Sequence, residues 1–146
     1  MISSVREAAR KRFPPYLGAI HGPGHWERVH ENAEYLAKHA GGDLLVCSLF
    51  AYLHDCCRES DGADPDHGAR AATFAESLRG TVLEIDDERF ELLRFACQHH
   101  EKGMLSDDPT IGSCWDADRL DLGRVGRKPN RKFLSTERAK TQSVIE

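Results

Sequence analysis

Residues 44–55 read Leu-Leu-Val-Cys-Ser-Leu-Phe-Ala-Tyr-Leu-His-Asp, an almost wholly apolar run that ends on an imidazole and a carboxylate. Asp43 precedes it and is a good N-cap, because its side chain can accept from the free backbone N–H groups of a first helical turn. The run predicts a helix over 43–57. It is apolar on every face, which marks a helix enclosed by its neighbours rather than one lying on a surface. It is also too short to cross a bilayer, which takes about 20 apolar residues. Other helices must therefore cover it, and Asp55 must find a partner, since burying an unpaired charge is costly.

Those covering helices can be read outward from it. Upstream, Trp26, Val29, Ala33, Leu36, Ala37 and Ala40 recur at three- and four-residue steps, with Glu27, Glu31, Glu34 and Lys38 opposite. The spacing predicts an amphipathic helix from His25 to His39, closed by Gly41-Gly42. Before it, Ser4 to Arg12 forms a short basic helix that Pro14-Pro15 must stop, and a loop runs on to Pro23. Downstream, Asp66 caps an alanine-rich helix ending near Gly80. Asp86 or Asp87 opens another that runs to His99 or His100. Asp108-Pro109, a cap followed by a first-turn proline, leads into a helix from Thr110 to Leu122.

No stretch alternates strictly enough for a strand. The fold class is all-α, a single compact bundle of about five to seven helices. Nothing divides the chain before about Arg124, so residues 1–125 form one domain. Residues 126–146, with Arg127, Lys128, Arg131 and Lys132, are a basic C-terminal extension, expected to be loosely ordered, packed or partly flexible, with a short helix from Ser135 or Thr136.

A length of 146 residues suits one domain with one core. With 40% hydrophobic and 30% charged residues the chain is globular rather than disordered. A net charge of −4 leaves no global basic field, so neither polymeric nucleic acid nor an anionic membrane is an expected partner. Met1-Ile-Ser-Ser-Val-Arg carries no secretory apolar stretch, and a cytoplasmic location is expected. Cys47, Cys56, Cys57, Cys97 and Cys114 form an odd set with no C-x-x-C spacing, which argues against a disulfide framework and a thiolate zinc site. They are read as reduced thiols without chemistry.

The chemistry rests on histidines and carboxylates. Taken alone, His54-Asp55 reads as a structural hydrogen-bonded pair or as metal ligands. His25 opens one helix, His67 another, His99-His100 close a third and Asp118 lies inside a fourth. Imidazoles and carboxylates from several helices are how bundles build metal centres. Such an N/O set without thiolate suits Mn, Fe, Co, Ni or Zn, with Mg a less natural guest. His21 is separated from His25 by Gly22-Pro23-Gly24 and reads as a loop or supporting residue. His30 and His39 read as surface residues, and Trp115 as a packing residue.

The order His25, His54-Asp55, Asp118 resembles the H…HD…D signature of the HD superfamily of metal-dependent phosphohydrolases, over about His21 to Gly126. His25-Trp-Glu-Arg-Val is similar to the family's H-x-x-R-V, Ala51-Tyr-Leu-His-Asp to its A-x-L-H-D, and Asp116-Ala-Asp-Arg-Leu-Asp to its D-A-D-R-L-D. The resemblance implies an HD-domain-like bundle in which His25, His54, Asp55 and Asp118 ligate one divalent metal. Asp55 would also bridge to a second. His67 and His100 resemble the additional ligands of two-metal members, with His99 competing for the latter position. Cys56-Cys57-Arg58-Glu59 lacks the E-D pair that resembles the hydrolase arm of guanosine-tetraphosphate enzymes, so that substrate is not supported.

The activity so implied is hydrolysis of a small phosphate ester or nucleotide by metal-activated water. Asp55 would position the nucleophile. Arg28, Arg58 and Lys102 are candidates to bind the phosphate, each within about a helical turn of a proposed ligand, and Lys102 or a metal-bound water would protonate the leaving alcohol. Arg119 is expected to brace the Asp118 helix. Two other classes keep the same residues: a di-iron oxygenase of the HD type, and a non-catalytic nucleotide- or metal-binding regulatory module. The oligomeric state is open.

Overall fold

The computed structural model describes residues 1–145. Among them are six α-helices, α1 (Ile2–Arg12), α2 (Pro23–Ala40), α3 (Leu44–Leu53), α4 (His67–Leu78), α5 (Asp87–His99) and α6 (Pro109–Arg119), and no β-strand. Three short 3-10 turns, Leu122–Val125, Arg131–Phe133 and Ala139–Thr141, follow α6. The fold is the expected all-α bundle, and among the described residues no helix is long and apolar enough to cross a membrane.

Helix boundaries follow the local chemistry. Phe13 ends α1 in an extended conformation (φ −67°, ψ 128°), as a residue before proline must, and sets its ring edge-on against Trp26. Pro23 starts α2 two residues earlier than the apolar spacing suggests, since proline is well suited to the first turn. Gly41 closes α2 at φ 83°. The Asp43 side chain accepts from Val46 N, and Asp108 accepts from Thr110 N and Ile111 N.

Helix α3 is central. It packs against α1, α2, α5 and α6, and every residue from Val46 to Leu53 is buried, although Leu44 at its start is exposed. The helix ends at Leu53 rather than Cys57, and His54 to Cys57 continue as a turn. Helix α4 lies on α5. Trp115 is fully buried and donates its indole N–H to Ala96 O at 2.9 Å, a packing residue as expected.

The C-terminal extension is built into the fold rather than loosely appended. Leu134 and Ala139 are buried, and the Asp116 carboxylate inside α6 accepts from Ser135 N, Thr136 N and Thr136 Oγ1 at 2.7–2.8 Å. Arg119 Nη1 donates to Met104 O and to Phe133 O, so it ties α6 to a loop and to this segment as well. The short helix expected from Ser135 or Thr136 is only the 3-10 turn at Ala139–Thr141. All five cysteines are buried and unpaired by disulfides.

Candidate metal centre

Five helix ends meet at one point. His25 sits in the first turn of α2, His54 caps the C-terminus of α3 with Asp55 beside it, and His67 is the first residue of α4. His100 caps α5, and Asp118 lies in the last turn of α6. His25, His54, Asp55, His67 and His100 are all buried, and Asp118 nearly so.

The donors fall into two groups, either of which could hold a metal ion: His25, His54, Asp55 and Asp118, and Asp55, His67 and His100. In the first, His25 Nε2 lies 3.1 Å from His54 Nε2 and from Asp118 Oδ1, and 3.4 Å from Asp55 Oδ2. In the second, His67 Nε2 lies 2.9 Å from His100 Nε2 and 3.1 Å from Asp55 Oδ1. Asp55 thus turns one oxygen to each group. It is His100, not His99, that joins: the His99 ring rests on Phe95 and accepts at Nδ1 from Lys102 Nζ at 2.8 Å.

The second nitrogen of each ring fixes its tautomer. His54 Nδ1 is 3.0 Å from Ala51 O, His100 Nδ1 2.6 Å from Cys97 O and His67 Nδ1 2.6 Å from Asp64 O. Carbonyl oxygens only accept, so these Nδ1 atoms carry the proton and each Nε2 turns a lone pair to the centre. His25 Nδ1 faces Asp121 Oδ2 at 2.7 Å, and the Glu101 carboxylate also faces His67 Nδ1. This is how metal-bound histidines are held in orientation.

Lone pairs facing one another and two carboxylates repel unless a positive charge lies among them. Two ligands at right angles on an ion, each about 2.1 Å away, stand about 3.0 Å apart, which is the spacing of the Nε2 pairs. Asp118 Oδ1 is buried with no hydrogen-bond donor, as a ligand oxygen would be. The residues therefore fit a metal.

Electrostatics agree. Burial disfavours the charged form of His25, but the Asp118, Asp121 and Asp55 carboxylates outweigh it and raise its pKa to about 10. Burial would likewise raise Asp55 and Asp118, yet the surrounding imidazoles, His54 foremost, hold both well below the usual carboxylate range. Without metal, a proton on His25 supplies part of the missing positive charge.

Of the three cations proposed for phosphate, Arg58 alone is brought to the centre. It is buried, with Nε on Ser60 O and Nη2 on Gly62 O. Its Nη1 lies 3.1–3.2 Å from both His67 ring nitrogens and 4.0 Å from Asp55 Oδ1. Arg28 is placed otherwise: its Nε donates to both Asp121 oxygens, so it braces the residue that orients His25. Lys102 is exposed, with its ammonium on His99, and among the described residues it makes no hydrogen bond or ion pair with any of the six donors.

Asp121 and Glu101 were missing from the sequence reading as site residues. Each lies close in sequence to a ligand, Asp121 three residues after Asp118 and Glu101 next to His100, and that adjacency was the available signal. His21 is closer to the centre than a loop residue need be, with Nδ1 3.5 Å from Asp55 Oδ2 and no hydrogen-bond partner. His30 is partly buried, bonded to Tyr52 Oη and Glu34, whereas His39 is exposed as expected. Phe50 stacks on His54 at 4.8 Å and meets His100 edge-on, giving the centre an apolar wall.

No protein family, curated protein or solved structure matches the chain.

Proposed function

We propose that this protein is a metal-dependent phosphohydrolase of the HD type that acts on a small phosphate ester or nucleotide. The observation that carries the reading is the division of Asp55, one oxygen toward His25 and His54 and the other toward His67 and His100. His25, His54, Asp55 and Asp118 would hold one ion and Asp55, His67 and His100 a second, and the N/O donor set favours Mn, Fe, Co, Ni or Zn over Mg. Bound there, divalent metal supplies Lewis acidity and makes a nucleophilic water available near neutral pH.

The chain's own residues supply the rest. The hydrogen bonds at Nδ1 hold four imidazoles in fixed orientations, so little reorganisation is needed on binding. Asp55, joined to both groups, is placed to orient the attacking water. Arg58, buried and fixed by two carbonyls, puts a permanent positive charge beside the second group, where it can offset charge on a phosphate oxygen.

The same bridged donor set also suits the di-iron oxygenase reading, and metal content with turnover separates the two. Protein purified without chelator is analysed for metals, then screened for phosphate release with Mn, Co, Ni, Zn or Mg added. Transition metal lost wholly in Asp55→Ala and in part in His54→Ala, together with phosphate release, supports the hydrolase. Iron with oxygen consumption and no phosphate release transfers the reading to the oxygenase, and no tight metal leaves a binding module.

A further inference from the structure

A cleft of about 760 Å³ adjoins the second histidine group. His100 and Glu101 contribute to its lining, and so do Arg127, Lys128, Lys132 and Phe133 of the C-terminal segment. The basic C-terminal extension therefore supplies a wall of the space beside the candidate metal centre.

That wall is held in place. Pro129 is buried, Asn130 Oδ1 accepts from Lys132 N at 3.0 Å, and Phe133 O accepts from Arg119. Downstream, Ser135 and Thr136 are tied to Asp116. The charges on the wall, by contrast, meet no carboxylate among the described residues, although Lys132 Nζ lies over the Phe133 ring, 5.3 Å from its centroid. Among the described residues Arg127, Lys128 and Lys132 form no ion pair with a carboxylate, as is also true of Arg10, Lys11 and Lys38, but the first three line one cleft. In a chain of net charge −4, three unpaired cations on one cleft make a local positive field that attracts an anion. The volume is that of a small-molecule site, commonly about 300–1,000 Å³, and exceeds what one phosphate needs. Phe133, 46% exposed, shares its ring with Lys132 Nζ and adds apolar surface to the lining.

We propose that this cleft binds a second phosphate of the substrate. The molecule taken is a small bisphosphorylated compound, with one phosphate at the metal centre and the other received by Arg127, Lys128 and Lys132. The placement of the first phosphate rests on the hydrolase reading; the anion-binding cleft does not.

The test is calorimetric titration of the metal-loaded full chain with short alkane bisphosphonates and the matching alkyl monophosphonates, whose C–P bonds resist hydrolysis. The bisphosphonate is expected to bind at least about tenfold more tightly, and its affinity to fall with added salt. In an Arg127→Ala/Lys128→Ala/Lys132→Ala variant that advantage disappears, at about two- to threefold for each charge removed, while monophosphonate affinity is unchanged. A Lys128→Arg/Lys132→Arg variant keeps the advantage, which a merely structural role for the lysine side chains does not predict. Equal binding of both probes to the native chain, or a bisphosphonate affinity unmoved in the triple variant, overturns the proposal. Chelator-treated protein separates the two readings. Residual bisphosphonate binding that still needs the three cations upholds the cleft even where phosphate release is absent, whereas phosphate release with cation-independent binding upholds the hydrolase and sinks the cleft.

Discussion

Gly68 packs so closely on Gln98 that a β-carbon at position 68 would lie 2.7 Å from the Gln98 carbonyl oxygen, and 2.8 Å from that of Cys97. Both obstacles are backbone, so neither can swing aside. This contact brings the start of α4 against the end of α5, and with it His67 against His100. Gly68→Ala is predicted to push the two helices apart, at a cost of about 1–3 kcal/mol in stability. Metal affinity should fall at the second group more than at the first. Titration with Mn or Co followed by calorimetry checks this, and two unaltered binding steps would refute the positioning role of the contact.

The bridging geometry makes Asp55 unlike any other ligand. Asp55→Ala is predicted to strip metal from both groups, whereas His67→Ala should spare the first and His54→Ala the second. Elemental analysis of the three purified variants, each checked for a native thermal transition, reads the difference directly. Loss of only one ion in Asp55→Ala would mean that the carboxylate serves a single group.

The pKa of His25 sets a pH dependence with a definite sign. Its folded value, about 10, lies above the ordinary 6.5. The stability it contributes to metal-free protein is therefore fully present below about 6.5 and lost as pH rises through about 10. Metal must displace that proton, so affinity should rise by up to about tenfold per unit between about pH 6 and pH 8. Thermal melts of chelator-treated protein and metal titrations in matched buffers test the two halves. A pH-independent metal affinity would show that His25 is not protonated in the metal-free state.

Asp121 and Arg28 form one brace behind His25, through Asp121 Oδ2 on the ring and both Asp121 oxygens on Arg28 Nε. Asp121→Asn is predicted to weaken metal binding by about 10- to 100-fold, the usual effect of losing the partner that orients a ligating histidine. Arg28→Ala should have a smaller effect of the same kind and leave KM for phosphate esters unchanged once metal is saturating. A selective rise in KM would instead restore Arg28 to the substrate.

How much of this was legible in the sequence depended on distance along the chain. The helices were readable because capping, proline placement and apolar spacing are local, and Asp43, Asp108 and Pro109 act where they stand. The six donors were readable as a set through the order of the motifs around His25, His54-Asp55 and Asp118 with the two further histidines, and not through the helices alone. What periodicity could not give was direction beyond the last helical turn. His99 and His100 are equivalent as neighbours in sequence, and only the end of α5 at His99 turns one ring inward and leaves the other on Phe95. Arg28 and Lys102 looked alike in their spacing from ligands, yet the partners that claim them, Asp121 and His99, are set by tertiary contact or by a turn. The C-terminal segment was opaque for the same reason, since its anchor is a carboxylate on α6.

That anchor, Asp116, is fully buried and accepts three hydrogen bonds from Ser135 and Thr136. Removing the carboxylate leaves two backbone N–H groups and a hydroxyl unsatisfied, or forces the segment away from α6 into water. Asp116→Ala is predicted to cost about 2–4 kcal/mol and to lower Tm by roughly 5–12 °C. Because the metal donors are held by other hydrogen bonds, the variant should retain its metal while limited trypsin treatment cleaves at Arg127, Arg131 or Lys132 far faster than in the native chain. Release of the segment also dismantles the wall of the basic cleft, so bisphosphonate affinity should drop alongside. A variant that resists trypsin like the native protein would show that the buried contacts of Leu134 and Ala139, rather than the Asp116 carboxylate, hold the segment down.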